Sequence, residues 1–165
     1  MRKNAMSSAE ITQIGLLTAL LTVAGAIKLP SLLPGLEFQI SAPLAVGICF
    51  VMGFKRYLLI GILSSMISLA LGTHNLFNVA IAMQFRIVVG IIYLLAGQAR
   101  NKYIVMAIAG PIGTLVARLT LSFVLGKGVW ALASAAFPGM VFTFLTAPFM
   151  VGLLRKVVRT KTVSL

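Results

Sequence analysis

Acid is almost missing from this chain. Its 165 residues include two carboxylates, Glu10 and Glu37, and no aspartate. A carboxylate pair for acid–base chemistry cannot be assembled if these two fall on opposite sides of a membrane, as the topology below assigns them. The lone histidine, His74, and the lone cysteine, Cys49, leave no His/Cys/Asp/Glu cluster for a metal and no triad. A single cysteine also rules out an internal disulfide framework. No G-x-x-x-x-G-K-[ST] run cradles a nucleotide, so ATP energy would have to come from another chain. The expectation is a protein that is not an enzyme and carries no cofactor or metal. Buried carboxylates, which ion and proton pumps generally need, are absent from the apolar segments, although His74 keeps proton coupling open. Neither an internal repeat nor a low-complexity linker divides the chain, which reads as one domain over residues 1–165.

Apolar sequence is abundant. Hydrophobic residues make up 60% of the chain and charged ones 10%, against about a quarter in a soluble domain. The net charge of +12 would suggest nucleic acid if the cations shared one solvated face. They sit instead in short connections between apolar runs, so the expected surroundings are a lipid bilayer and not nucleic acid. Six spans read as roughly 11–27, 40–54, 57–71, 76–97, 103–125 and 138–154, the second and third being short for the ~20 residues a crossing needs. Ser7 and Glu10 have capping-box spacing ahead of the first.

With six spans, Arg2, Lys3, Lys55, Arg56, Arg100, Lys102, Arg155, Lys156, Arg159 and Lys161 all fall on one side. Lys28 and Lys127 fall on the other. The bias of Lys and Arg toward cytoplasmic loops then places both termini in the cytoplasm of a cell-membrane protein. The fold class expected is all-α, a bundle of six transmembrane helices. A basic start, an apolar core and the Ala24-x-Ala26 ending also fit a signal peptide. The apolar run continues toward Leu29 with small residues at packing spacing, which favours a retained first span.

Two cations remain inside the spans. Arg86 lies ten residues into the fourth, about 15 Å deep at 1.5 Å per residue, and Arg118 lies about 10 Å from the outer end of the fifth. Charges at bilayer depth generally face a bundle interior or a cavity. Two guanidinium groups at similar depth repel, and an anion between them relieves the repulsion. Thr114, Arg118 and Ser122 form a stripe on the fifth span, while Asn75, Asn78 and Arg86 share faces on the fourth. Thr143 lies on the sixth. Outer connections add Glu37, Phe38 and Gln39, then His74, then Trp130. Together these would make a substrate pocket with a cationic floor, polar walls and an aromatic lid. The alternative is structural: arginines that snorkel or pair with Glu37, hydroxyls bonded to their own helices, and a tryptophan that anchors at the interface.

Small residues mark two helix faces, Gly15 and Ala19 on the first span and Gly61, Ser65 and Ser68 on the third. Such faces admit close helix approach, either within the bundle or against another membrane protein.

This architecture resembles the substrate-binding S components of energy-coupling factor (ECF) transporters. The segment "GLLTALLTV" lies where that family carries an A-x-x-x-A docking motif, with Gly15 in place of the first alanine. "KLPSLLPGLEFQ" fits its long, gating first outer loop. More loosely, "LIGILSSMISLALGTHNLFN" and "GKGVWALASAAFPGMVFTFL" resemble the bacterial tryptophan-transporter family in layout. No substrate motif of the biotin, thiamine or riboflavin members is evident. The resemblance implies a subunit of an ABC-type importer that catches a vitamin, amino acid or similar solute from outside. It would dock on a transmembrane coupling subunit driven by two cytoplasmic ATPases and topple to release its ligand. A stand-alone carrier and a non-transporting membrane assembly protein are the alternatives.

Overall fold

The computed structural model describes residues 6–30, 37–96, 101–125 and 129–158, and at 28–30, 37–39, 124–125, 129–133 and 135 the backbone alone. Six helices carry the fold: α1 (Ser8–Ala26), α2 (Ser41–Met52), α3 (Phe54–Ala70), α4 (Leu76–Leu95), α5 (Lys102–Leu125) and α6 (Val129–Val157). Four of them, α1, α4, α5 and α6, are long and apolar enough to cross a membrane. The chain is an all-α, multi-pass membrane protein. Large apolar side chains such as Leu16, Met66, Ile91, Leu95, Phe123 and Phe149 are exposed on the outer surface, as lipid contact requires.

Local chemistry sets the helix ends. Ser7 Oγ accepts from the Glu10 amide at 3.3 Å and Glu10 Oε2 accepts from the Ser7 amide at 3.1 Å, so the capping box expected from spacing is formed. The second boundary differs from expectation. The break between α2 and α3 is Gly53, at φ 80°, and not the Lys55–Arg56 pair, which lies in the first turn of α3. A positive φ is open to glycine at little cost, so the chain reverses there in one residue. Helix α2 has 12 residues, about 18 Å of rise, and so is far shorter than a bilayer core. Helix α6 begins nine residues ahead of the expected 138, running through Pro138 and Pro148, and takes Trp130 out of the loop in which the sequence placed it. The first connection also holds a feature the sequence did not announce. Lys28–Pro30 pairs antiparallel with Glu37–Gln39, with Leu29 opposite Phe38.

Helix α2 is the hub, packed against every other helix, while α1, α3, α4, α5 and α6 follow one another around it. Val46, Ile48 and Cys49 of α2 are fully buried with Tyr57, Ile60 and Val89. Phe50 and Tyr93 meet edge to face at 5.3 Å. Arg56 donates to Glu10, which ties the start of α3 to the start of α1. The cations Lys55 and Arg56 therefore lie at the end of the bundle where the N-terminus of α1 lies, as the charge pattern requires.

Candidate functional site

A cavity of about 180 Å³ occupies the opposite half of the bundle. Its walls come from the C-terminal end of α1 (Leu21, Gly25), the start of α2 (Ser41, Ala45) and the C-terminal half of α3. The first half of α4 and the second half of α5 close it. These segments converge because the helices alternate in direction, so each contributes the end away from the N-terminus of α1.

Arg86 is the deepest charge in it, 7% exposed. Its Nη1 donates to Ser65 Oγ at 2.6 Å and to Met83 Sδ at 3.4 Å. The arginine stem crosses directly over Gly61, where a Cβ would stand 2.6 Å from Nε. The lack of a side chain at Gly61 is thus what lets the guanidinium lie against α3. Ser64, Ser65 and Ser68 are buried and line the same space. A hydroxyl contact joins this wall to α1, with Thr22 Oγ1 donating to Thr18 O at 2.8 Å and lying 3.1 Å from Ser64 Oγ.

Arg118 reaches the cavity from α5, with Thr114 one turn earlier on the same wall. Among the described residues it has no carboxylate and no hydrogen-bond partner. The carboxylate that could serve it is scarce: Glu10 is held by Arg56 at the far end, and the Glu37 side chain lies outside the described residues. Two cations therefore face one cavity, the deeper held by a neutral hydroxyl.

His74 stands at the mouth. After α3 ends, Gly72 takes φ 69°, and the amides of Thr73 and His74 both donate to Ser68 O, at 3.0 and 3.3 Å. This tight turn sets the imidazole against Gly25 of α1, with Cε1 3.4 Å from where a Cβ there would be. Asn78, exposed, completes the rim.

Of the residues singled out from sequence, the cavity thus gathers Arg86, Arg118, His74, Asn78 and Thr114. Others have different tasks. Asn75 caps α4, its Oδ1 accepting from the Asn78 amide at 2.8 Å. Thr143 donates to Gly139 O on its own helix at 2.8 Å, and its methyl fills the space above Gly110, away from the cavity. Ser122 is buried outside the lining. The side chains of Glu37, Phe38, Gln39 and Trp130 lie outside the described residues.

The small-residue face of α3 packs within the bundle, one of the two placements its spacing allowed. Gly61, Ser65 and Ser68 point inward, because Arg86 needs both room and a hydroxyl there. Gly15 and Ala19 of α1 are exposed, with open space over Gly15. The serines of α3 and Ser41 are the polar lining residues that sequence reasoning did not assign to the site. The polar face of α3, opposite a buried arginine, was the available signal.

Comparison with known proteins gives the chain a relative. Protein BioX of Lysinibacillus sphaericus is 49% identical over 143 residues, which cover 87% of this chain and 83% of that protein. The chain belongs to the BioX family. No family model matches it, and no solved structure matches it. A match of this breadth takes in most of the six-helix bundle and so most of the cavity walls.

Proposed function

We propose that this protein is the solute-binding membrane subunit, the S component, of an ECF-type importer, and that its ligand is a vitamin or related small solute with an anionic group. The observation that carries the reading is Arg118, a cation without a partner among the described residues, facing the same cavity as the buried Arg86. A cavity with two guanidinium groups and a wall of hydroxyls is suited to a carboxylate whose remaining atoms accept and donate hydrogen bonds. The relative's name supports the vitamin class, since its prefix points to biotin, itself a small carboxylic acid. Placement also supports the reading. The cavity lies in the half of the bundle away from the cationic end, which is the outer half if that end is cytoplasmic.

Docking on a coupling subunit with two cytoplasmic ATPases follows from the same proposal. The open α1 face at Gly15 and Ala19 is the surface that suits it, and the inward-facing α3 stripe is not.

Binding of radiolabelled biotin and of hexanoate to purified protein tests the anion site, with biotin methyl ester as the uncharged control. Expected are loss of the ester and a drop of at least about 30-fold for Arg118→Ala, the ~2 kcal/mol typical of truncating one partner of a buried charge pair. Equal binding of acid and ester, or unchanged affinity in Arg118→Ala, overturns it. Co-purification tests the partners: recovery of a coupling subunit and ATPases, abolished by Gly15→Leu, is expected, and recovery of self-oligomers alone refutes it.

A further inference from the structure

Two permanent cations, Arg86 and Arg118, line the cavity, and among the described residues no carboxylate does. Of the two carboxylates in the chain, Glu10 is bound by Arg56 at the far end of the bundle, and the Glu37 side chain lies outside the described residues. An imidazole is neutral or cationic, so His74 at the mouth supplies no negative charge either. We propose that the ligand is a dianion whose two charges stand apart, a dicarboxylic acid with a short apolar chain between its carboxylates. The proposal rests on the anion site described above and names its substrate class.

Charge is the first reason. A monocarboxylate seated in the cavity leaves one guanidinium uncompensated at bilayer depth, where an unpaired charge is costly. A dicarboxylate neutralises both.

The second reason is that the cations stand on different walls. Arg86 springs from α4, but its stem crosses Gly61 and its Nη1 donates to Ser65 Oγ at 2.6 Å, so its guanidinium lies against α3. Arg118 belongs to α5. In the ring of helices around α2, α4 stands between α3 and α5. There is an axial offset as well. Leu76 to Arg86 is three residues longer than Arg118 to Leu125, a difference of about 5 Å along the helices. Each cation has its own hydroxyl partner for a carboxylate. Ser65 Oγ accepts from Arg86 and keeps its hydrogen to donate, and Thr114 lies one turn from Arg118 in the lining. Between the two, α4 lines the cavity with Ile81, Ala82 and Phe85. That strip suits methylene groups and would leave the hydrogen bonds of a polar linker unmet. A phosphate monoester, which carries both charges on one centre, matches one wall and leaves the other cation open.

Equilibrium binding of radiolabelled adipate, hexanoate and monomethyl adipate to the purified full chain tests this. The three share a six-carbon acyl chain, and only adipate carries a second charge. In wild type adipate should bind at least about tenfold more tightly than either monoanion, the lower end of what a charge-assisted hydrogen bond contributes. Across the series from succinate to suberate the affinity should peak at one chain length, because the two cations are fixed on separate helices. Hexyl phosphate, compared at about pH 8 where it is a dianion, should bind more weakly than the best dicarboxylate. In Arg118→Ala the preference for adipate over hexanoate should fall to about one, with circular dichroism and thermal unfolding confirming an intact bundle. The wild-type comparisons need no variant. Equal binding of adipate and hexanoate, the result if another group such as Glu37 already neutralises one arginine, overturns the dicarboxylate while leaving the anion site standing. Tighter binding of hexyl phosphate overturns it by placing both charges at one point, and so does a preference for adipate that persists in Arg118→Ala. Failure of wild type to bind any of these acids or biotin removes the anion site and the dicarboxylate with it.

Discussion

A methyl group at Gly61 would collide with the stem of Arg86, 2.6 Å from Nε, closer than Cβ contacts allow, and would sit tightly at 3.2 Å from Cζ. Gly61→Ala thus asks whether the arginine is held in one place. Two outcomes bound the cost. If the stem sidesteps while the guanidinium keeps Ser65, the penalty is that of overpacking, about 1–3 kcal/mol. If the guanidinium leaves Ser65, the charged hydrogen bond at 2.6 Å is lost too. Such a bond contributes about 1.5–3 kcal/mol in soluble proteins, but side-chain bonds within membranes average nearer 0.6. We take about 1–2 kcal/mol for Ser65→Ala, and about 2–4 kcal/mol for Gly61→Ala. The ordering matters more than the values: adding a methyl at Gly61 should cost more than removing the hydroxyl it stands beside. Helix propensity predicts the opposite, because alanine is favoured over glycine inside a helix by about 1 kcal/mol. Unfolding by SDS titration in mixed micelles gives the differences. A double-mutant cycle with Arg86→Ala isolates the cause, since removal of the stem should erase the penalty and leave a coupling above about 1 kcal/mol. If Gly61→Ala is stabilising, or costs the same in the Arg86→Ala background, the close approach of Arg86 to α3 is refuted.

Two further measurements follow from the packing. Tyr57 is fully buried, and its hydroxyl has no hydrogen-bond partner among the described residues, so Tyr57→Phe should be neutral or stabilising by up to about 1 kcal/mol in the same unfolding assay; a loss above 1 kcal/mol contradicts this. At the opposite end, Ser7→Ala should cost about 0.5–2 kcal/mol through the lost cap, whereas Arg56→Ala, breaking a pair that is about one-third exposed on each side, should cost under about 1 kcal/mol; the reverse order would mean that the ion pair, not the capping box, secures α1.

What sequence could reveal was set by the range of the forces involved. Hydropathy is local, so the long helices α1, α4, α5 and the body of α6 are visible within a few residues of their ends. The α2–α3 break was misplaced because charge marks the surface of a loop, while the backbone turns on Gly53, whose φ 80° no hydropathy window registers. Helix α6 starts early since Pro138 stops a helix only when its preceding turn cannot adjust, and inside a membrane protein neighbouring helices hold such turns. The hairpin at Lys28–Pro30 and Glu37–Gln39 is a contact between backbones, and three-residue strands leave almost no pattern. At the site, the charged members were legible because a buried charge is rare enough to be conspicuous. The hydroxyls were not, since Thr143 and Ser65 look alike in sequence. Thr143 satisfies itself on its own helix, whereas Ser65 finds a partner 21 residues away.

The inward turn of α3 shows why small-residue spacing alone does not locate an interface. Glycine and serine at intervals of three and four remove bulk from one side of a helix, and the groove they leave admits any large neighbour. On α1, Gly15 has open space above it; on α3, the space above Gly61 is occupied by the side chain of Arg86. The difference lies in the partner's charge. A guanidinium in the bilayer must find oxygen, and the α3 groove offers three buried hydroxyls, Ser64, Ser65 and Ser68, where an apolar helix face offers none. Hydroxyl dipoles stabilise the cation without cancelling it, so the positive potential survives in the cavity. An acidic residue in place of Ser65 would have closed an ion pair and left nothing for a ligand anion to complete. A fixed Arg86 with neutral support and, among the described residues, an unpartnered Arg118 on the neighbouring helix therefore leave the charge balance of the cavity open.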